Sequence, residues 1–599
     1  MVEKLLCLIF VIKLSETQLI NSRGDTQDIF SSTFQMQTLL KAEIEFAKVL
    51  SQHKFEEEDK LVQDFIKTYY DNKWFENITN YEKYVSHPIN SFGIVSRTAQ
   101  AKGYLENQFQ NYTNIFPPVE NFINVCSAIA LIQESFDLKT KDLLNGDIIV
   151  ENQNFPSDFK PNFFEVTSIA TVACNNKWLD TGIEWFEYAF KNVPEDVDPN
   201  YLKEARKNYQ LAINIHDDLL EKRGPISKKH RCFPVPVDKE LAKKKKYKKL
   251  VKKSKKAKVS KIKQYFPLFD EKLDTDKDWK DNNLFVCKEG EKWRPPEMDK
   301  NLKCYFLNHG DAYLKLGPFK VEEKSQDPFV MIFKDFMSPN EILHYKSQAE
   351  NNLSRSIYGG DKKGGIFRTS KQTWLHDKTF SIPSNYKEEE EEEHMQGGFL
   401  LANDLSQIPK LPTNLADYRH PLDRVAYNLT KRISHGTQLQ LLSIFSSESY
   451  QIANYGIGGQ YGTHFDPSGF LDQTYKKRPE HKGVYYQAVG DRIATFMIYL
   501  SDVEAGGATS FPKMGLRSAA KKGDALFWFN LKSTGKVHSL TSHAGCPVLV
   551  GSKWITNKWI LYYDQFEKFK CSTDIKKDTF EAYSKYRQQN LSLIKSNFK

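Results

Sequence analysis

The sequence predicts a multidomain α+β protein, helical in its N-terminal part and β-structured in its C-terminal part. Three observations lead there. At 599 residues the chain exceeds what one compact core holds, so two to four domains are expected. Apolar residues recur at helical intervals from Ile29 to about Arg97 and again from about Phe163 to Lys222. Beyond about Asp327 they give way to short β-branched and aromatic segments between glycine-rich turns. A composition of 40% hydrophobic, 13% aromatic and 27% charged residues excludes a disordered or fibrous chain.

Residues 1–18 carry Lys4, the apolar stretch LLCLIFVI, Lys13 and Ser15, the pattern of a short and imperfect secretory signal. No other stretch approaches the roughly 20 apolar residues that span a bilayer, so no transmembrane segment is expected. Removal of the signal takes Cys7 with it. Seven cysteines then remain in an oxidising compartment, Cys126, Cys174, Cys232, Cys287, Cys304, Cys546 and Cys571, an odd number that leaves at least one unpaired. Sequons at Asn77, Asn111, Asn352, Asn428 and Asn590 fit the same route.

Residues 25–150 form the first helical domain. TFQMQTLLKAEIEFAKVL and DKLVQDFIKTYY each place apolar residues on one helical face, reading as core-facing stripes or a coiled coil. Residues 151–225 form the second. There CNNKWLDTGIEWFEYAFKNV is followed by a proline-marked break and NYLKEARKNYQLAINIHDDLLEK, with Trp178, Gly182, Tyr188 and Ala189 spaced as in one tetratricopeptide unit.

Residues 226–326 read as a linker. Its run KKKKYKKLVKKSKKAK, between Lys239 and Lys263, offers no apolar period to a core. Much of the formal net charge of +9 sits there, so no general affinity for nucleic acid is expected; a local polyanion surface is the sharper alternative. The acidic run Glu388 to Glu393 reads as an exposed loop.

Residues 327–575 form the β-domain and 576–599 a tail. YQIANYG, RIATFMIYL, DALFWFNL and WITNKWILYY have the β-branched and aromatic texture of antiparallel strands. The chemistry lies here. His464 and Asp466 stand two apart in GGQYGTHFDPSG, so in extended chain both side chains leave the same side of the backbone and can hold one metal ion. Two histidines and a carboxylate complete a facial triad that leaves positions open on iron(II) for a chelating cosubstrate and dioxygen. His543, 77 residues downstream of Asp466, is the third candidate, with His538 and His481 read as decoys. Lys553, ten residues further, supplies an ammonium for the distal carboxylate of 2-oxoglutarate.

The segments NYGIGGQYGTHFD, DRIATFMIYLSDVEAGGATSFP, KKGDALFWFNL and HAGCPVLVGSKWITNKW follow one another as do the motifs of the animal collagen-type prolyl 4-hydroxylase α subunit, and the chain resembles that family. The likeness extends upstream through VSHPINSF, the tetratricopeptide-like unit and Cys287 with Cys304.

Several expectations follow from the resemblance alone. The catalytic domain is a double-stranded β-helix, a jelly-roll. The cofactors are Fe(II), 2-oxoglutarate, O2 and L-ascorbate. Tyr455 and Thr495 bind the 2-oxoglutarate carboxylate beside Lys553, and Trp559 lines the pocket. Cys287 pairs with Cys304 and Cys546 with Cys571. The activity is 4-hydroxylation of proline in X-Pro-Gly sequences of collagen-like polypeptides. The first helical domain dimerises, and the second is a groove for proline-rich peptides with Tyr188 and Trp185 as contacts. The partner is protein disulfide isomerase, in an α2β2 tetramer that holds in the endoplasmic reticulum lumen a chain ending KSNFK.

The loop from Asp466 to Arg492 is longer than the family pattern, and the lysine and glutamate runs add to it, which opens the question of substrate. The alternatives are a 2-oxoglutarate oxygenase acting on another protein, a catalytically silent paralogue that binds proline-rich peptides, and a polyanion-binding scaffold.

Overall fold

The computed structural model describes residues 29–50, 60–70, 74–105, 116–223, 276–350 except 292, 293 and 295, 352–356, 368–378, 423–467 except 444, and 490–567. The signal segment, both charge runs, most of the loop after Asp466, His481, Cys232, Cys571 and the tail lie outside them. No described helix is long and apolar enough to cross a membrane.

The helical half comprises α1 (Thr33–Leu50), α2 (Lys60–Tyr69), α3 (Tyr81–Val85), α4 (Pro88–Leu105), α5 (Val119–Phe136), α6 (Thr140–Leu144), the hairpin β1 (Asp147–Val150) and β2 (Gln153–Pro156), α7 (Phe163–Asn175), α8 (Leu179–Lys191) and α9 (Pro199–Arg223). Met36, Leu39, Leu40, Phe46 and Ala47 of α1 are buried, the stripe read from the sequence. Arg97 and Glu43 pair inside this core at 2.6 and 3.0 Å, with the guanidinium 4.0 Å over the Trp74 ring. Asn162 and Glu165 form a reciprocal capping box that starts α7.

One apolar cluster takes in residues from Phe30 to Ala212 together with Ile457, Leu549 and Val550, so the boundary drawn at residue 150 does not separate two cores. At Gly182 a Cβ would collide with Sγ of Cys174, which is how α7 and α8 approach closely enough to pack as a pair. Cys126 and Cys174 are buried free thiols. Trp185 is not a groove residue: it is 0% exposed and its Nε1–H donates to Gln133 Oε1 at 2.5 Å. An aromatic at the inner face of an amphipathic helix is claimed by the core. Tyr188, one turn further along, is half-buried with Lys191 over its ring at 4.5 Å.

The second half opens with α10 (Asp276–Glu289), followed by β3 (Cys304–Leu307), β4 (Phe319–Gln326), β5 (Phe329–Lys334), α11 (Pro339–Glu350), β6 (Ser354–Arg355), β7 (Lys371–Leu375), α12 (Arg424–Thr437), β8 (Tyr450–Tyr455), β9 (Tyr461–His464) and β10 (Arg492–Tyr499). Then come β11 (Ala505–Gly506), β12 (Thr509–Phe511), β13 (Leu516–Ser518), β14 (Ala525–Phe529), β15 (His543–Gly545), β16 (Val548–Val550) and β17 (Lys553–Leu561). Nine strands form one sheet in the order β3-β4-β5-β14-β10-β17-β8-β7-β6, and four form a second, β13-β12-β15-β9. The described pairings are all antiparallel.

The large sheet is buried on both faces. Phe333, Phe496, Ile498, Phe527 and Phe529 point to one side, where Ile342, Tyr345, Leu429 and Ile433 of α11 and α12 cover them. Val330, Ile332, Met497, Tyr499, Leu526 and Trp528 point to the other, against Phe511, Met514, Leu516 and Val548. Side chains alternate faces with period two, so a strand covered on both sides reads as an unbroken apolar run. That is the texture of RIATFMIYL and DALFWFNL.

Two expectations are corrected. The predicted linker ends inside the large sheet, because β3 hydrogen-bonds to β4 and β4 to β5; their mixed composition hides strands whose outer side faces water. Cys287 pairs with Cys546, 259 residues away and 5.5 Å between Cα atoms, rather than with Cys304. Cys287 lies on the face of α10 that packs with Ala508 and Cys546, whereas Cys304 is a free, exposed thiol on the edge strand β3.

Candidate active site

His464 ends β9 and His543 begins β15, and the two residues are register partners across the small sheet. Their rings lie 4.3 Å apart. Each is oriented by its own backbone. The His464 Nδ1–H donates to Gly462 O at 2.8 Å and the His543 Nδ1–H to Thr541 O at 3.0 Å. This fixes one tautomer in both rings and leaves Nε2 as the free lone pair, the arrangement of a metal-binding histidine. Both Nε2 atoms stand 3.7 Å from Oδ1 of Asp466, and the three donor atoms lie within 4.8 Å of one another. Among the described residues this is the one cluster of three such donors.

Asp466 is aimed by a chain of donors that the sequence reading missed. Trp528 Nε1–H donates to Asn530 Oδ1 at 2.7 Å, Asn530 Nδ2–H to Thr495 Oγ1 at 2.9 Å, and the Thr495 hydroxyl to Asp466 Oδ2 at 2.5 Å. Oδ2 is thereby occupied and Oδ1 faces the histidines. Thr495, expected beside the cosubstrate, hydrogen-bonds the Asp466 carboxylate, because β10 places it opposite Trp528 and under Asp466. Arg492 reaches the Asp466 carbonyl at 3.3 Å while Glu448 grips its guanidinium at 2.6 and 2.8 Å.

The electrostatics suit a cation. Burial, followed by the second imidazole, holds the His464 pKa well below its usual value, so the ring is neutral. For Asp466 burial acts upward, but His543, His464, Arg492 and the Thr495 hydroxyl outweigh it and keep the carboxyl ionised. A neutral His464 imidazole, the His543 ring and a carboxylate, each fixed from behind, fit iron(II).

A small cavity opens on these donors. Lys553 on β17 stands opposite Tyr455 on β8 in register, and its Nζ lies 5.0 Å from the centroid of that ring. Lys553 is 1% exposed, and burial lowers its pKa to about 7. Among the described residues that line the cavity, Asp466 is the only acidic one, against two cations, Lys553 and Arg368. The wall is therefore built for an anion. Trp559 also lines it, with Arg492 stacked at 3.9 Å, and among the described residues its buried Nε1–H has no acceptor, as is true of Arg368 Nε. Arg368 was missed because nothing around GIFRTS marks it; Asn530, a lone polar residue closing an apolar strand, was findable. His538 bonds Asp327 at 3.3 Å and caps Leu540 outside the cavity.

This fold and donor set define an oxygenase domain that uses iron(II), 2-oxoglutarate and dioxygen, and residues 450–561 match the 2OG-Fe(II) oxygenase superfamily. Residues 32–149 match the N-terminal region of the prolyl 4-hydroxylase alpha subunit. The chain is 26% identical over 578 residues to prolyl 4-hydroxylase subunit alpha-1 of Caenorhabditis elegans, covering 93% of this chain and 92% of that one. It is 27% identical over 559 residues to subunit alpha-2 of Gallus gallus, covering 89% and 93%. Over about nine-tenths of its length the chain is thus similar to prolyl 4-hydroxylase alpha subunits. A solved viral collagen prolyl hydroxylase from Paramecium bursaria Chlorella virus-1 aligns over 39% of this chain and 95% of its own, at 22% identity and a TM-score of 0.23.

Proposed function

We propose that the chain is the catalytic subunit of a collagen-type prolyl 4-hydroxylase, adding hydroxyl at C4 of proline in X-Pro-Gly sequences while 2-oxoglutarate is converted to succinate and carbon dioxide. The observation that carries this is one cavity with three convergent donors, His464 Nε2, His543 Nε2 and Asp466 Oδ1, and a buried lysine in its wall.

Iron(II), when bound there, supplies the dioxygen activation that couples decarboxylation to insertion of oxygen into a C–H bond. The three side chains hold it on one face and leave the other open. Thr495 keeps Asp466 in its ionised, metal-facing pose. Lys553 receives the distal carboxylate of 2-oxoglutarate, a charge-assisted contact strengthened by burial, with Tyr455 beside it. Trp559 and Arg368 offer donors without acceptors to the carbonyl groups of an incoming peptide. No protein nucleophile is required; the residues bind, orient and exclude water.

We read the two facing sheets as a double-stranded β-helix, the α7–α8 pair as a tetratricopeptide-like peptide groove with Tyr188 at its edge, and the preceding helices as a dimerisation region. L-ascorbate as reductant, protein disulfide isomerase as β subunit in an α2β2 tetramer, and residence in the endoplasmic reticulum lumen complete the proposal. The test is co-expression with the isomerase and incubation with a Pro-Pro-Gly repeat, iron, 2-oxoglutarate and ascorbate. Mass spectrometry should show one added oxygen per modified proline with matching succinate; a peptide of unchanged mass and no peptide-dependent succinate overturns the reading.

A further inference from the structure

The segment Ile29-Phe30-Ser31-Ser32-Thr33-Phe34 precedes and opens α1, more than 400 residues from the cavity in sequence, yet it is packed against the strands that carry Tyr455 and Lys553. Phe30, Ser31, Ser32 and Thr33 are all buried. The backbone N–H groups of Gly456 and Ile457, immediately past the end of β8, donate to the carbonyls of Ser31 at 3.0 Å and Phe30 at 3.2 Å. A side chain at Gly456 would run into the Phe30 carbonyl, so glycine is what lets the two backbones meet.

Asn454 is the node of this contact. It lies inside β8 at 0% exposure, where an unsatisfied carboxamide would cost about 1–3 kcal/mol. Its Oδ1 accepts from the Ser32 hydroxyl at 2.6 Å and from the Phe34 N–H at 3.2 Å. Its Nδ2 donates to Thr33 Oγ1 at 3.0 Å and to the carbonyl of Lys553 at 3.2 Å. The Thr33 hydroxyl also sits 2.6 Å from that of Ser552, the neighbour of Lys553, and Phe34 meets the next residue, Trp554, edge-on at 6.5 Å. One carboxamide thus joins the start of the helical half to the peptide unit of Lys553, with partners on both sides and no slack.

We propose that residues 30–34 act as a strut that sets the position of Lys553 for the cosubstrate, with Asn454 as the positioning residue, so that 2-oxoglutarate affinity depends on the docked N-terminal segment. This rests on Lys553 being the 2-oxoglutarate anchor. The strut's hydrogen bonds involve none of His464, Asp466 and His543, so its loss acts on the cosubstrate and spares the metal.

The test uses the full chain with Mn(II), titrated with 2-oxoglutarate under nitrogen by calorimetry, alongside steady-state kinetics. Thr33→Val, which keeps shape and removes the hydroxyl, and Asn454→Ala should each weaken 2-oxoglutarate binding about tenfold and raise its KM in proportion. Mn(II) affinity and kcat at saturating 2-oxoglutarate should stay within about twofold, and Thr33→Ser should bind as wild type. Amide hydrogen exchange over residues 553–556 should speed up in both weakened variants. Unchanged 2-oxoglutarate affinity in folded Thr33→Val, in a chain where Lys553→Ala abolishes binding, overturns the strut. An equal loss of Mn(II) affinity overturns it too, since that marks general loosening. A Lys553→Ala chain that binds normally overturns the anchor and the strut together.

Discussion

The Thr495 hydroxyl donates to Asp466 Oδ2 at 2.5 Å while Asn530 Nδ2–H donates to the same hydroxyl at 2.9 Å. Thr495 can offer its single proton to Asp466 because its own lone pair is already engaged. Replacing it with valine preserves volume, frees Oδ2 to rotate and leaves Asn530 with a buried unpaired N–H. Outer hydrogen bonds to metal ligands are worth about 10–100-fold in metal affinity. Thr495→Val should therefore weaken Mn(II) binding by that factor and Thr495→Ser by much less, both checked by metal titration. Unfolding should show a loss of about 1–3 kcal/mol for the valine.

Lys553 makes 2-oxoglutarate binding pH-dependent in a direction that can be fixed. Before the anion arrives, burial keeps the pKa of Lys553 at about 7; a carboxylate against it favours the charged form and raises that value. A group whose pKa rises on binding takes up a proton, and affinity is lost as pH climbs above the lower pKa. Binding at pH 8 should be accompanied by uptake of roughly 0.9 proton, and at pH 6 by roughly 0.1. Calorimetry in buffers of different ionisation enthalpy reads this directly. Affinity should fall about tenfold per unit above pH 7, and Lys553→Met should abolish both binding and the proton linkage.

The site was legible where the backbone alone sets geometry. His464 and Asp466 are two residues apart, and His543 sits on the strand that pairs with β9; the three residues whose donor atoms converge were those that spacing and motif singled out. The donor chain behind Asp466 could not, because it joins β10 to the end of β14 through side chains whose partners depend on sheet order. The same limit hid the cysteine pairing: Cys287 and Cys304 are near in sequence, but one faces the small sheet and the other the solvent. In the helical half, period 3.6 identified the buried stripe of α1, yet could not tell whether Trp185 faced the core or a groove. The β1–β2 hairpin went unseen because four-residue strands carry too few residues for a period.

The Cys287–Cys546 link fastens α10 to the chain three residues after His543. Proteolysis without reduction should give one linked peptide pair carrying Cys287 and Cys546, with Cys304 labelled by an alkylating agent in the folded protein. A Cys287–Cys304 peptide would contradict the fold at α10. Cys287→Ser should cost about 2–5 kcal/mol and loosen metal binding at His543, measured by chemical unfolding and Mn(II) titration.

Trp185 and Tyr188 lie three apart on α8 and separate packing from recognition. Trp185 fills the core and satisfies Gln133, whose Nε2–H in turn donates to Thr140 at 2.7 Å. Trp185→Phe keeps an aromatic ring but strands Gln133 Oε1, so the helical half should lose about 1–3 kcal/mol while the KM for a Pro-Pro-Gly repeat stays within twofold. Tyr188, one turn further along at the edge of the same face, is half-buried. If that edge docks proline-rich peptides, whose polyproline II helices stack on aromatic rows, Tyr188→Ala should raise the peptide KM severalfold with little change in melting temperature. The reverse result, a KM effect at Trp185 and none at Tyr188, would place the groove at a position the fold has filled, and steady-state kinetics paired with thermal unfolding on the two variants decides between them.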